Sequence, residues 1–78
     1  MKNTRDDNAL KVFGKHFRKI RESKKISQGK LGLNADSYQS TVIRIEQGKA
    51  NPKLTTLIAL AKALEIELKE LMDFQITN

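Results

Sequence analysis

The 78-residue sequence contains no cysteine, no tryptophan, one histidine and one proline. Without cysteine the chain can form neither a disulfide nor a thiolate metal site. The single His16 has no second imidazole to share a metal and no suitably spaced partner for catalysis, so we expect it to be structural. No apolar run approaches the roughly 20 residues of a membrane-spanning helix, and the first ten residues lack the apolar segment of a signal peptide. These absences predict a soluble, cytoplasmic protein without metal, cofactor, small-molecule ligand or membrane partner.

Positive charge is in excess, and it is unevenly distributed. The formal net charge is +6. Residues 1–30 hold ten Lys and Arg against three acids, residues 31–53 hold three against two, and residues 54–78 hold two against four. This asymmetry suggests a basic face for a polyanion such as nucleic acid and a separate acidic end. A basic surface that only keeps the domain soluble is the alternative.

The spacing of apolar residues predicts five helices and no strand. The expected ranges in chain order are 9–23, 27–34, 38–47, 54–64 and 68–73. Residues 1–7 are polar and are predicted to be a flexible arm, with Asp7 or Asn8 as the first N-cap. Residues 8–78 are predicted to form a single domain, because the chain is long enough for one domain and not two.

Only about three or four residues separate the second predicted helix from the third, which is the arrangement of a helix-turn-helix. Ser27 is expected to cap the second helix, and Ser37 the third. Gly48 lies where a helix C-cap glycine belongs. Gly29 and Gly32 each cost about 0.5–1 kcal/mol relative to alanine, so packing must hold the second helix.

The third predicted helix has two unlike faces. Tyr38, Val42 and Ile45 form an apolar stripe. The other faces carry polar side chains: Gln39, Ser40, Thr41 and Arg44. In the DNA major groove, Gln can make two hydrogen bonds to adenine and Arg two to guanine. An ordinary amphipathic helix with a solvated face has the same pattern, so the residues alone leave both interpretations open.

The stretch of residues 26–66 resembles the Cro/phage-repressor type of helix-turn-helix family, often called the Xre family. The residues that carry the resemblance are Ser27, Gln28, Leu31, Val42, Ile45, Glu46 and Gly48. The similarity extends over about residues 10–74. It implies a compact, lambda-repressor-like bundle of five helices and a non-enzymatic regulator of transcription that binds double-stranded DNA with its third helix in the major groove.

The resemblance also assigns roles to single positions. Gln39, Ser40, Arg44 and Thr41 would contact bases. Gln28 would touch a phosphate and brace Gln39, and Arg21 would face phosphate while pairing with Glu46 to tie the first helix to the third. The remaining expected contacts to the DNA backbone are Ser27, Lys30, Tyr38, Gln47, Lys49 and Asn51.

Some positions depart from the family pattern. Ser37 falls where the family has an apolar residue, so Tyr38 either fills that core site or contacts phosphate. Asp36 replaces the usual turn glycine, although aspartate tolerates a positive φ. Gly32 stands where the family prefers alanine. None of these departures removes a base-reading residue.

A lone domain of this size gains little affinity from one half-site, so we expect a homodimer on a two-fold operator with recognition helices about 34 Å apart. The expected dimer surface is the apolar C-terminal part: Leu68, Leu71, Met72, Phe74 and Ile76. The alternative is that these residues only complete the core of the monomer.

Four biological settings fit the chain. One is a restriction–modification controller, which it resembles in size and in its Asn-Pro-Lys-Leu loop, and another is a solitary repressor. The third is an antitoxin that also binds a toxin through its C-terminal helices. The fourth is an interaction module that binds no DNA.

Overall fold

The computed structural model describes residues 5–76, and these residues form five helices joined by short loops. In chain order they are α1 (Asp7–Ser23), α2 (Gln28–Asn34), α3 (Gln39–Glu46), α4 (Leu54–Ala63) and α5 (Leu68–Leu71). The described range contains no strand. The predicted all-α architecture of five helices is confirmed, with helix ends displaced by one or two residues.

The first helix begins earlier than expected. Its N-cap is Asp6, whose carboxylate accepts a hydrogen bond from the N–H of Ala9 at 3.0 Å. The prediction of Asp7 or Asn8 as the cap is therefore wrong. Asp7, expected in the arm, lies in the first turn, where a negative charge favours the positive end of the helix dipole. Residues 1–4 of the expected arm lie outside the described residues.

All five helices contribute to one core. The side chains that are buried almost completely are Phe17, Leu31, Val42, Ile45, Leu60 and Leu71. The stripe predicted on α1 points into this cluster, because Phe13 is also buried and Ile20 packs half-buried against it. Burial of each large apolar side chain contributes about 1.5–3 kcal/mol, so a short helix such as α2 is held by Leu31 despite its two glycines.

The apolar residues near the C-terminus divide between core and surface. Leu71 is 0% exposed, so its assignment to a dimer surface is wrong. Because α5 is only four residues long, it packs on the rest of the molecule mainly through this side chain. Leu68 and Phe74 are half-buried against the core, with the Phe74 ring 5.4 Å from that of Phe13. Met72 and Ile76 remain exposed.

Four of the helices end in the same backbone motif. The residue after each C-cap has a positive φ: Lys25 (57°), Asp36 (54°), Gly48 (73°) and Glu65 (59°). The next N–H then turns back onto the helix, as Ser37 does onto the Gly32 carbonyl at 2.8 Å. This Schellman arrangement satisfies carbonyls that a helix end leaves without partners. Asp36 thus adopts the left-handed conformation that the family reaches with glycine.

Helices α2 and α3 approach closely at their junction. A Cβ atom built on Gly32 would lie 2.8 Å from the carbonyl carbon of Tyr38 and 2.9 Å from the nitrogen of Gln39. Glycine at this position, together with the small buried Ala35, lets the start of α3 close onto α2.

We expect Gly32→Ala to lower the free energy of unfolding by about 1–3 kcal/mol, because the added methyl group meets backbone atoms that cannot yield without shifting α3. Gly29→Ala is the matched control, since its Cβ would lie 3.4 Å from a flexible side-chain atom of Gln39. That variant should gain about 0.5 kcal/mol from helix propensity. Urea denaturation measures both changes, and equal effects of the two variants would contradict the close approach.

Candidate nucleic-acid interface

Helix α3 separates its residues by face. Val42 and Ile45 lie in the core. The side chains predicted to read bases lie on the other side, and those that are exposed are Gln39, Ser40 and Arg44. Thr41 is half-buried, so less of its side chain is accessible. The row of hydrogen-bonding groups at positions 39, 40 and 44 is therefore available to a partner along the whole length of the helix.

The start of α3 lies against the start of α2. Ser27 caps α2 as predicted, with its hydroxyl accepting from the N–H of Lys30 at 3.1 Å. The amide of Gln39 lies over Gly29, where a Cβ atom would be 3.4 Å from Gln39 Oε1. Gln28, expected to brace Gln39, donates instead from Nε2 to Glu46 Oε1 at 3.1 Å. Packing on Gly29 thus places Gln39 in this unbound chain.

Tyr38 is the N-cap residue of α3, so the prediction of Ser37 as the cap is wrong. The Tyr38 side chain is 77% exposed, and the alternative that it fills the core is also wrong. Tyr38 has an extended backbone (φ −116°, ψ 150°) and lies before the first helical residue, so its side chain does not continue the apolar stripe of Val42 and Ile45. The phenol instead stands in solvent next to Gln39, at the end of the row of polar side chains.

The predicted ion pair between Arg21 and Glu46 is confirmed. Arg21 donates from Nε to Glu46 Oε2 and from Nη2 to Glu46 Oε1 at 3.1 Å, while Nη1 donates to the carbonyl of Ile26 at 2.9 Å. The two side chains are only 10% and 4% exposed. The hydrogen bond that Arg21 donates to Glu46 raises the pKa of Arg21 further above its ordinary value, against the opposing effect of burial. The pair joins α1 to the last residue of α3.

The loop that follows α3 presents three of the predicted backbone contacts, Gln47, Lys49 and Asn51, all exposed. Gly48 turns the chain, and a Cβ atom there would lie 2.9 Å from the Cα of Lys11, so α1 packs directly behind the loop. The N–H of Lys49 donates to the carbonyl of Arg44 at 2.9 Å. This bond keeps the loop beside the C-terminal end of α3.

Arg5 also contacts this loop, and the sequence pattern did not predict it. Its Nη2 donates to the carbonyl of Lys49 at 3.1 Å, and its Nε donates to Asp7 Oδ1 at 2.7 Å. Arg5 and Lys49 are 44 positions apart in sequence, and no periodicity relates them. The cap at Asp6 is a sequence signal that would have placed Arg5 against the first turn of α1, but not against the loop.

The other features considered in the described part of the chain are His16, a metal site and a membrane-spanning helix. His16 has contacts of a structural kind: Nε2 lies 3.0 Å from the carbonyl of Glu70, and its ring lies 5.7 Å from that of Phe74. Within residues 5–76 no three His, Asp or Glu side chains are grouped to hold a metal ion. None of the helices in this range is long and apolar enough to cross a membrane.

A family comparison defines the class of protein. The helix-turn-helix family model matches residues 17–71, a range that contains α2, α3, α4 and the Arg21–Glu46 pair. The chain belongs to this family of DNA-binding transcriptional regulators, as the resemblance indicated.

Comparison with individual proteins shows which members of the family this chain is similar to. The control protein C.BamHI of Bacillus amyloliquefaciens is 36% identical over 69 residues, which are 87% of this chain and 85% of that protein. The restriction-modification controller protein C.AhdI from Aeromonas hydrophila has a crystal structure similar to this one, with a TM-score of 0.79, 36% identity and coverage of 81% of this chain and 96% of that chain. The DNA-binding domain of the P22 C2 repressor gives a TM-score of 0.74 at 28% identity, covering 99% and 96% of the two chains. The lambda-repressor-like fold is thereby confirmed.

We expect Arg21→Met to lower the free energy of unfolding by about 3–5 kcal/mol, because it leaves the carboxylate of Glu46 buried without its partner. The double variant Arg21→Met, Glu46→Met should recover most of that loss. Arg18→Met is the control, since Arg18 pairs with Glu22 on the exposed surface of α1, and its loss should cost less than about 1 kcal/mol. Chemical denaturation of the four proteins, wild type included, tests this, and a double variant as unstable as Arg21→Met would contradict it.

Proposed function

We propose that this chain is a sequence-specific transcriptional regulator that binds a two-fold operator in double-stranded DNA as a homodimer, with α3 in the major groove. The observation that carries the proposal is the exposed row of Gln39, Ser40 and Arg44 on a helix whose other face lies in the core. The setting we favour is the control of a restriction–modification system, because C.AhdI is named as such a controller and resembles this chain in sequence and fold. The names of the relatives described above favour this setting over an antitoxin.

The dimensions of α3 suit the groove. An α-helix with its side chains is about 10–12 Å across, which fits the B-DNA major groove of about 12 Å width, and the eight residues of α3 would run about 12 Å along the groove. In this position the amide of Gln39 would pair with adenine and the guanidinium of Arg44 with guanine, while the Ser40 hydroxyl would serve either base. Thr41 would contribute the least, since it is half-buried.

We assign contacts with the DNA backbone to the residues around this row. The side chains proposed for these contacts are Ser27, Gln28, Lys30, Tyr38, Gln47, Lys49 and Asn51. Lys30 and Lys49 carry charge and are exposed, so they would release counterions when they meet phosphates. Arg21 is nearly buried and engaged by Glu46, so its main contribution would be to hold the end of α3 in place.

We place the dimer surface on residues that the fold leaves exposed. Met72 and Ile76 remain from the predicted set, and Leu54 at the start of α4 is exposed as well. Met72 also lines an apolar cavity of about 120 Å³ together with Pro52 and Leu57, so the chain near the start of α4 and the chain after α5 share one surface. Residues 54–78 carry two bases against four acids, which disfavours a DNA contact here.

We expect Gln39→Ala to lower the preference for one base pair of the operator by about 1–3 kcal/mol, because it removes a pair of hydrogen bonds to a base edge. Lys49→Ala should weaken all sequences alike and reduce the slope of log affinity against log salt by about one, because it removes one phosphate contact. Binding titrations on operator and mismatched duplexes at several salt concentrations measure both. Equal, sequence-independent losses for the two variants would contradict the role of Gln39.

Met72→Lys is expected to shift the dimer to monomer at micromolar concentration while the fold is kept, because Met72 is already 44% exposed. Leu33→Lys is the matched control, since Leu33 is an exposed leucine on α2 with no part in the proposed surface. Sedimentation equilibrium gives the mass, and circular dichroism checks the fold. A Met72→Lys protein that is folded and still dimeric would remove this surface from the proposal.

A further inference from the structure

The geometry of the loop after α3 points to a positioning residue for DNA binding: we propose that Arg5 fixes the direction of Lys49, and with it the grip of the loop on the DNA backbone. This inference rests on the proposed function for the identity of the ligand. Arg5 lies outside α2, α3 and the loop that joins them. It also lies outside residues 17–71, the segment that the family model matches.

The argument starts from the two peptide groups that flank the Cα atom of Lys49. The N–H of Lys49 belongs to the first, and it donates to the carbonyl of Arg44 at 2.9 Å. The carbonyl of Lys49 belongs to the second, and it accepts from Arg5 Nη2 at 3.1 Å. Since each peptide group is planar, fixing both planes fixes the direction in which the Lys49 side chain leaves the backbone.

Arg5 is suited to this task because it is itself held. Its Nε donates to Asp7 Oδ1 at 2.7 Å, and Asp7 lies in the first turn of α1. The rigid fork of a guanidinium lets one side chain reach Asp7 and the Lys49 carbonyl at the same time. Lysine has the same charge but no such fork.

The two bonds to Lys49 come from different elements. Arg44, which supplies the carbonyl on one side, is a residue of the row proposed to read bases. Arg5, on the other side, precedes α1, the helix whose Lys11 packs against Gly48. The loop is therefore held between α3 and the start of α1. As a result the position of Lys49, which would bind phosphate, is fixed relative to the side chains on α3 that would read bases.

The first experiment uses the free protein. In Arg5→Gln, ¹⁵N relaxation should show increased motion at the amide of Ala50, whose N–H shares a peptide plane with the Lys49 carbonyl, while the melting temperature stays close to that of wild type. Arg18→Gln is the matched control, because Arg18 is also an arginine paired with an acid on α1, at 3.3 Å from Glu22, and within residues 5–76 it forms no hydrogen bond or ion pair with the loop. Unchanged relaxation at residues 49–51 in Arg5→Gln would overturn the proposal.

The second experiment is a double-mutant cycle on operator DNA. Arg5→Gln should weaken binding about fivefold in the wild-type background, because Lys49 must then be ordered on binding, at a cost comparable to the strength of the one exposed hydrogen bond that held it. It should have less than about a twofold effect in the Lys49→Ala background, because the residue it positions is then absent. Arg5→Lys should behave like Arg5→Gln, since charge without the fork does not hold the carbonyl.

The outcomes of the cycle separate the possible roles. Equal losses in both backgrounds, or full rescue by Arg5→Lys, would mean that Arg5 acts on DNA directly as a charge, and would overturn the positioning role. Wild-type protein that retains no DNA at physiological salt would contradict the proposed function instead, and the relaxation experiment would still decide whether Arg5 holds the loop.

Discussion

The buried pair of Arg21 and Glu46 determines how the rest of the structure is arranged. Arg21 belongs to α1, its guanidinium also holds the carbonyl of Ile26 before α2, and Glu46 is the last residue of α3 and accepts from Gln28 as well. A buried ion pair gains little over well-packed apolar residues, because desolvation offsets its attraction. Its value is geometric. The charges and hydrogen-bond donors all find their partners when α1, α2 and α3 are arranged in this way, and this arrangement fixes the direction in which the outer face of α3 points.

Sequence patterns predicted the features that follow from local periodicity or from a single capping residue. The stripe on α1, the cap at Ser27 and the turn at Gly48 depend on residues a few positions apart, so the sequence reveals them. The face of α5 could not be deduced in this way. Four residues make about one turn, and one turn does not show whether Leu71 or Met72 points inward.

The other errors came from tertiary geometry. Tyr38 was expected to continue an apolar stripe with Val42 and Ile45, but its extended backbone places it before α3 as the N-cap, and its ring is exposed. Arg5 lies 44 positions from its partner in the loop. The contact between Arg5 and the loop joins segments that no short sequence window contains.

The side chains of Gln39, Ser40 and Arg44 are exposed and contribute little to holding the fold together. Within residues 5–76 none of these three side chains forms a hydrogen bond or salt bridge with its own chain, whereas Glu46 pairs with Arg21 and Gly48 packs closely against Lys11. Substitutions at these three positions therefore cost little stability. Sequence drift at these three positions would therefore leave the fold intact.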